Sequence, residues 1–80
     1  MMNVELNILV RALNAIRNRP LKQYIKEGGR YIEQIGNYHI ESAYGKVKLC
    51  EVVQDGGVRS VTPFLTKKEV GIFIQGMLEQ

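Results

Sequence analysis

The chain has one cysteine, Cys50, and one histidine, His39. A lone cysteine rules out an intrachain disulfide, and a free thiol fits a reducing compartment, so a cytoplasmic protein is expected. A secretory leader, with its basic start and unbroken apolar stretch, is not visible: Met2–Val10 is interrupted by Asn3, Glu5 and Asn7. No apolar run approaches the roughly 20 residues of a membrane-spanning helix. The pairs Gly28-Gly29 and Gly56-Gly57 lack the following Gly-Lys-Ser/Thr of a phosphate-binding loop, and no acidic cluster offers magnesium a site. Repeats, low-complexity segments and interdomain linkers are also missing. Neither a cofactor nor a small-molecule substrate is expected.

What is present is one domain of 80 residues. A chain of this size buries only about 60–65% of the surface its unfolded form exposes, so its core is small. Small cores often need a staple, and self-association is one. The net charge is +3, but it is unevenly spread. Arg11, Arg17, Arg19, Lys22, Lys26 and Arg30 are opposed over their stretch only by Glu27, whereas charges balance from Ile35 onward. Such asymmetry can mark a phosphate-bearing or acidic partner, but solvated helix faces are the commoner explanation.

Residues 3–17 read as a helix. Leu6, Leu9, Val10, Leu13 and Ile16 recur at three- and four-residue spacing, Ile8, Ala12 and Ala15 widen that face, and Asn7, Arg11, Asn14 and Asn18 form the polar stripe opposite. Pro20 stops it. Residues 20–27 read as a second helix, with Leu21, Tyr24 and Ile25 on one face and Gly28 as C-terminal cap. The helical spacing runs on through Gly28-Gly29 to Tyr31, Ile32 and Ile35. Either this helix continues to Ile35, or Tyr31–Ile35 is a strand and Gly36-Asn37 a hairpin turn.

Residues 38–62 read as an antiparallel meander. Tyr38, Ile40, Ser42 and Tyr44 alternate with His39, Glu41 and Ala43, the period of a half-buried strand. Tyr44-Gly45 turns the chain into a strand over 46–53, and Asp55-Gly56-Gly57 turns it into a third over 58–62, ended by Pro63. The final helix carries the clearest start signal. Thr66 and Glu69 match a capping box, Leu65 and Val70 its hydrophobic staple, and Val70, Phe73, Ile74, Met77 and Leu78 form the apolar face. Gly71 and Gly76 weaken this helix and suit close approach by another backbone.

The candidate phosphate or nucleic-acid contacts are Arg11, Arg17, Arg19, Lys22, Lys26, Lys67 and Lys68. Lys67 and Lys68 occupy a first helical turn, where the helix dipole disfavours cations; exposed amides beside two lysines would suit phosphate or carboxylate. Tyr24, Tyr31, Tyr38 and Tyr44 could stack nucleic-acid bases, though packing is the commoner use. His39 and Cys50 can face each other across the first hairpin, but two ligands make a weak metal site, and no metal is expected. As a catalytic base, His39 would have Glu41 on its strand face, while Ser42 points away; no catalytic residues are assigned.

The order helix, three strands, helix, with Lys67 and Lys68 at the last helix start, resembles the double-stranded RNA-binding domain. That resemblance implies docking on RNA partly through those two lysines. The family's Gly-Pro-x-His loop is missing, and an additional element intervenes at 20–35. The run Tyr38-His39-Ile40-Glu41-Ser42-Ala43-Tyr44-Gly45, with Gly56-Gly57-Val58-Arg59 and Thr66-Lys67-Lys68-Glu69, resembles small uncharacterised proteins of phages and prophages. It implies a setting and no activity.

The sequence therefore predicts an α+β domain, an antiparallel three- to four-stranded sheet packed with helices, in the order α-α-(β)-β-β-β-α. The expected function is that of a non-enzymatic interaction protein, a homo-oligomer or a binder of another protein. The alternative is a basic nucleic-acid-binding module contacting phosphates, with steep salt dependence.

Overall fold

The first helix, α1 (Leu6–Ile16), buries Leu9, Val10 and Leu13 as the three- and four-residue spacing requires. The computed structural model describes residues 5–54 and 57–80, so residues 3 and 4 of the expected helix, and Asp55 and Gly56 of the expected turn, lie outside the described residues. Two features of α1 differ from expectation. Asn14, assigned to the polar stripe, is buried to 1% exposure, whereas Ile8 and Ile16, assigned to the apolar side, are exposed. The helix ends with Asn18 in the left-handed region (φ 58°). Its N–H donates to Ala15 O, and Arg19 N–H donates to Asn14 O at 2.7 Å, the paired bonds of a Schellman stop.

The expected helix over 20–27 is instead the first arm of a hairpin. Strands β1 (Tyr24–Glu27) and β2 (Arg30–Glu33) pair antiparallel around Gly28-Gly29. Both glycines have positive φ, 58° and 79°, as the favoured two-residue hairpin turn demands. The helical alternative fails because its face has nothing to cover it: Leu21, Tyr24 and Ile25 are all exposed. Without tertiary packing a short helix is not stable in water, and Tyr and Ile favour the strand. Tyr31 and Ile32 lie in a strand, but that strand turns back on β1, so Gly36-Asn37 is no hairpin turn. Gly36 N–H donates to Val52 O and Val52 N–H donates to Asn37 O, a bulge that hands the chain to the main sheet.

That sheet is the expected meander: β3 (Tyr38–Ala43), β4 (Lys46–Val52) and β5 (Val58–Ser60), in the order β3-β4-β5. Tyr44 and Gly45 form its first turn, both at positive φ. β5 is shorter than the sequence suggested because Thr62 leaves the ladder, its hydroxyl accepting from Leu49 N–H and donating to Pro63 O. Leu65 then bridges back to Val47 and leads into α2 (Lys67–Leu78). The capping box is present, with Glu69 N–H donating to Thr66 Oγ1 and Thr66 N–H donating to Glu69 Oε1.

Both helices lie against the sheet face bearing Tyr38, Val47 and Leu49, and Leu9, Val10, Leu13, Val70 and Ile74 complete the core. Gly71 is buried beside the side chains of Leu6 and Leu9 of α1, with room for a methyl group there, and Gly76 faces open space, so neither glycine meets the close backbone approach expected. Phe73, expected on the buried face of α2, is 43% exposed. The class is α+β, with two antiparallel sheets in place of one. Among the described residues no helix is long and apolar enough to cross a membrane.

Candidate interaction surface

Among the described residues, the β1–β2 hairpin is a sheet with no element packed extensively against it. All its residues are exposed except Glu33, which is half-buried. Strand alternation puts Tyr24, Lys26, Tyr31 and Glu33 on one side and Ile25, Glu27, Arg30 and Ile32 on the other. On the first side the Tyr24 and Tyr31 rings meet edge to face at 6.4 Å, and Lys26 Nζ lies 6.0 Å from the Tyr31 centroid. On the second, Ile25 and Ile32 stand directly opposite.

A two-residue turn makes Glu27 and Arg30 the closing hydrogen-bonded pair, so Ile25 and Ile32 also exchange ladder bonds. The main-chain groups of Tyr24 and Lys26 therefore point off one edge, and those of Tyr31 and Glu33 off the other. An isolated pair of strands with both edges open is marginal by itself. Tyr31, outward on the β2 edge, is 73% exposed.

The basic residues singled out from the sequence do not form one surface. Arg19 turns inward, donating to Gly36 O at 3.0 Å and to Glu51 Oε2 at 2.9 Å, with its guanidinium 5.2 Å from the Tyr38 ring centroid. Arg17 reaches the Tyr38 hydroxyl at 3.4 Å. Glu51 also accepts from Arg59 at 2.6 Å. That bond is the largest influence on its carboxyl; burial opposes it, Arg19 adds to it, and the net effect holds Glu51 below the ordinary carboxyl pKa. Arg11 lines an open cleft with Ile8, Leu21 and Ile40. Lys22 and Lys26 are exposed before and on the hairpin. Lys67 and Lys68 follow Leu65, which is bridged to Val47, about 13 Å along β4 from Glu51. They lie towards the opposite end of the main sheet from Arg17 and Arg19.

The sheet face away from the helices carries His39, Glu41 and Cys50. His39 and Cys50 are register partners, as expected, and Glu41 joins them with its Oε2 3.4 Å from His39 Nε2. Cys50 is fully buried, and burial, reinforced by the Glu41 charge, pushes its thiol pKa up. A buried thiol held protonated is a poor nucleophile. Sequence reasoning found the His39–Cys50 pairing and the shared strand face of Glu41 but stopped at two ligands.

No family model, curated protein or solved structure matches this chain. Its functional reading rests on its own surface. The feature that sequence reasoning missed is the hairpin, and its signal was present: Tyr-Ile-Lys-Glu, Gly-Gly, Arg-Tyr-Ile-Glu is a turn flanked by two arms of matching chemistry.

Proposed function

We propose that this chain is a non-enzymatic, self-associating interaction protein, and that its β1–β2 hairpin is the contact. The observation that carries this reading is a sheet of two strands with Tyr24, Ile25, Tyr31 and Ile32 exposed, and, among the described residues, packed extensively on no other element and paired at neither outer edge. The occupant is a second copy of the chain. Antiparallel pairing of β2 with its own symmetry mate must keep each side chain on its own face, and the outward groups are those of Tyr31 and Glu33. Both conditions are met by a two-fold centred on Ile32. Tyr31 then pairs with Glu33 of the second copy, Arg30 with Gln34, and Ile32 with Ile32, with no like charges opposed. Ile25 and Ile32 of both copies line up as one apolar row across four strands. The union removes two open edges and supports a hairpin that the core does not reach.

A nucleic-acid role draws no support from a shared basic surface, since Arg17 and Arg19 are engaged internally and Lys67 and Lys68 lie apart. Sedimentation equilibrium over a wide concentration range tests the proposal. A dimer for the parent chain and a monomer for Ile32→Lys, with equal helix content by circular dichroism, is the expected result. A parent chain that stays monomeric throughout overturns it.

A further inference from the structure

We propose that His39, Glu41 and Cys50 form a site for a divalent transition-metal ion, zinc by ligand chemistry, that clips β3 to β4. Their candidate ligand atoms all lie within 4.8 Å of one another. Zinc bonds of 2.0–2.3 Å set tetrahedral ligands roughly 3.3–3.8 Å apart, so small side-chain rotations close the cluster around an ion. Three protein ligands leave the fourth position to water.

Three further observations favour a ligand. His39 Nδ1 is buried with no hydrogen-bond partner among the described residues. Buried ring nitrogens are usually paired, and an ion on Nδ1 would give this one a role, with Glu41 Oε2 leaving its 3.4 Å contact with Nε2 to join the ion. Lys48, the register partner of Glu41, does not take its carboxylate: Lys48 Nζ donates to Ser60 Oγ at 2.9 Å and lies over the Phe64 ring. Glu41 is thus left to His39. Cys50 sits opposite His39 on rigid, paired strands, so the ligand positions are fixed by the ladder and not by loops. Thiolate, imidazole and carboxylate together suit zinc, and the thiolate argues against magnesium or calcium. A bound ion also gives a small core the staple its length calls for.

Cobalt(II) alone is the probe. The reduced chain, stripped of metal by a chelator, is titrated with cobalt and followed by absorption, and zinc is then added. One cobalt per chain, a thiolate-to-cobalt charge-transfer band and its loss to zinc are expected. Cys50→Ser should lose the band, and Glu41→Gln, half-exposed and safe for the fold, should weaken cobalt binding about tenfold or more. If Cys50→Ser does not fold, the His39 ring resonances of the parent chain serve instead, and they should shift on zinc addition. A missing charge-transfer band, a band that persists without Cys50, or unmoved His39 resonances overturns the site.

Discussion

The Asn14 side chain pairs with the main chain of Tyr38 as a strand would: its Nδ2 donates to Tyr38 O at 3.0 Å and its Oδ1 accepts from Tyr38 N–H at 2.8 Å. This seals the open edge of β3 where α1 crosses it. Replacing Asn14 with Ala strands both buried groups, each worth about 1–3 kcal/mol when left unpaired. Urea denaturation should show Asn14→Ala destabilised by about 2–4 kcal/mol, and Asn14→Leu by no less, because the added apolar volume does not satisfy the peptide.

Tyr44 holds φ 54° at the first position of the β3–β4 turn and is fully solvent-exposed, so its ring contributes no burial against the left-handed backbone cost. Asparagine tolerates that conformation, and Asn-Gly is the preferred pair for such a turn. Tyr44→Asn should raise stability by about 0.5–1 kcal/mol, read as a higher urea midpoint at unchanged slope.

Glu51 accepts from Arg19 and Arg59, but the two bonds are unequal in context. The Arg59 side chain is 59% exposed, the Glu51 side chain 14%. Removing Arg59 gives up an ion pair screened by water, worth about 0.2–1 kcal/mol. Removing Glu51 leaves Arg19 without its carboxylate at the junction of both sheets. Glu51→Ala should therefore cost about 2–3 kcal/mol, clearly more than Arg59→Ala, in parallel denaturation curves.

Glu69 gives a pH dependence. The Thr66 N–H at 3.0 Å, and then the Thr66 hydroxyl, hold its carboxyl below the ordinary glutamate value. The folded state therefore prefers the carboxylate. The resulting stabilisation is complete above the unfolded-state pKa of about 4.3 and is lost as pH falls through the lower folded value. Parent chain and Glu69→Gln should differ most at neutral pH and converge in acid, as followed by thermal melts across pH.

The final helix and the meander were legible because their signals are local. Thr66 and Glu69 determine a helix start within four residues, and Tyr38–Ala43 alternates within one strand. The hairpin was not, because Gly28 satisfies the rule for a helix cap and the rule for a turn alike. Only the absence of a core facing Leu21 and Ile25 separates them, and that is a tertiary fact. Asn14 was misplaced for a related reason: helical spacing sorts polar from apolar but does not reveal a strand edge that needs an amide. Arg19 looked like a free cation because the carboxylate that binds it, Glu51, lies 32 residues away. His39 and Cys50 were readable as strand partners, whereas closure of the cluster by Glu41 depends on side-chain geometry.

Oxidative cross-linking at the centre of the hairpin edge bears most directly on self-association. Opposed residues at a close, non-hydrogen-bonded strand position have Cβ atoms about 4.5–5.5 Å apart, near enough for a disulfide after slight adjustment. Ile32→Cys should form a covalent dimer rapidly under mild oxidation, while Ile16→Cys, more exposed on α1 but off the hairpin, should not. If Ile32→Cys stays monomeric, or links no faster than Ile16→Cys, the hairpin is not the contact between copies.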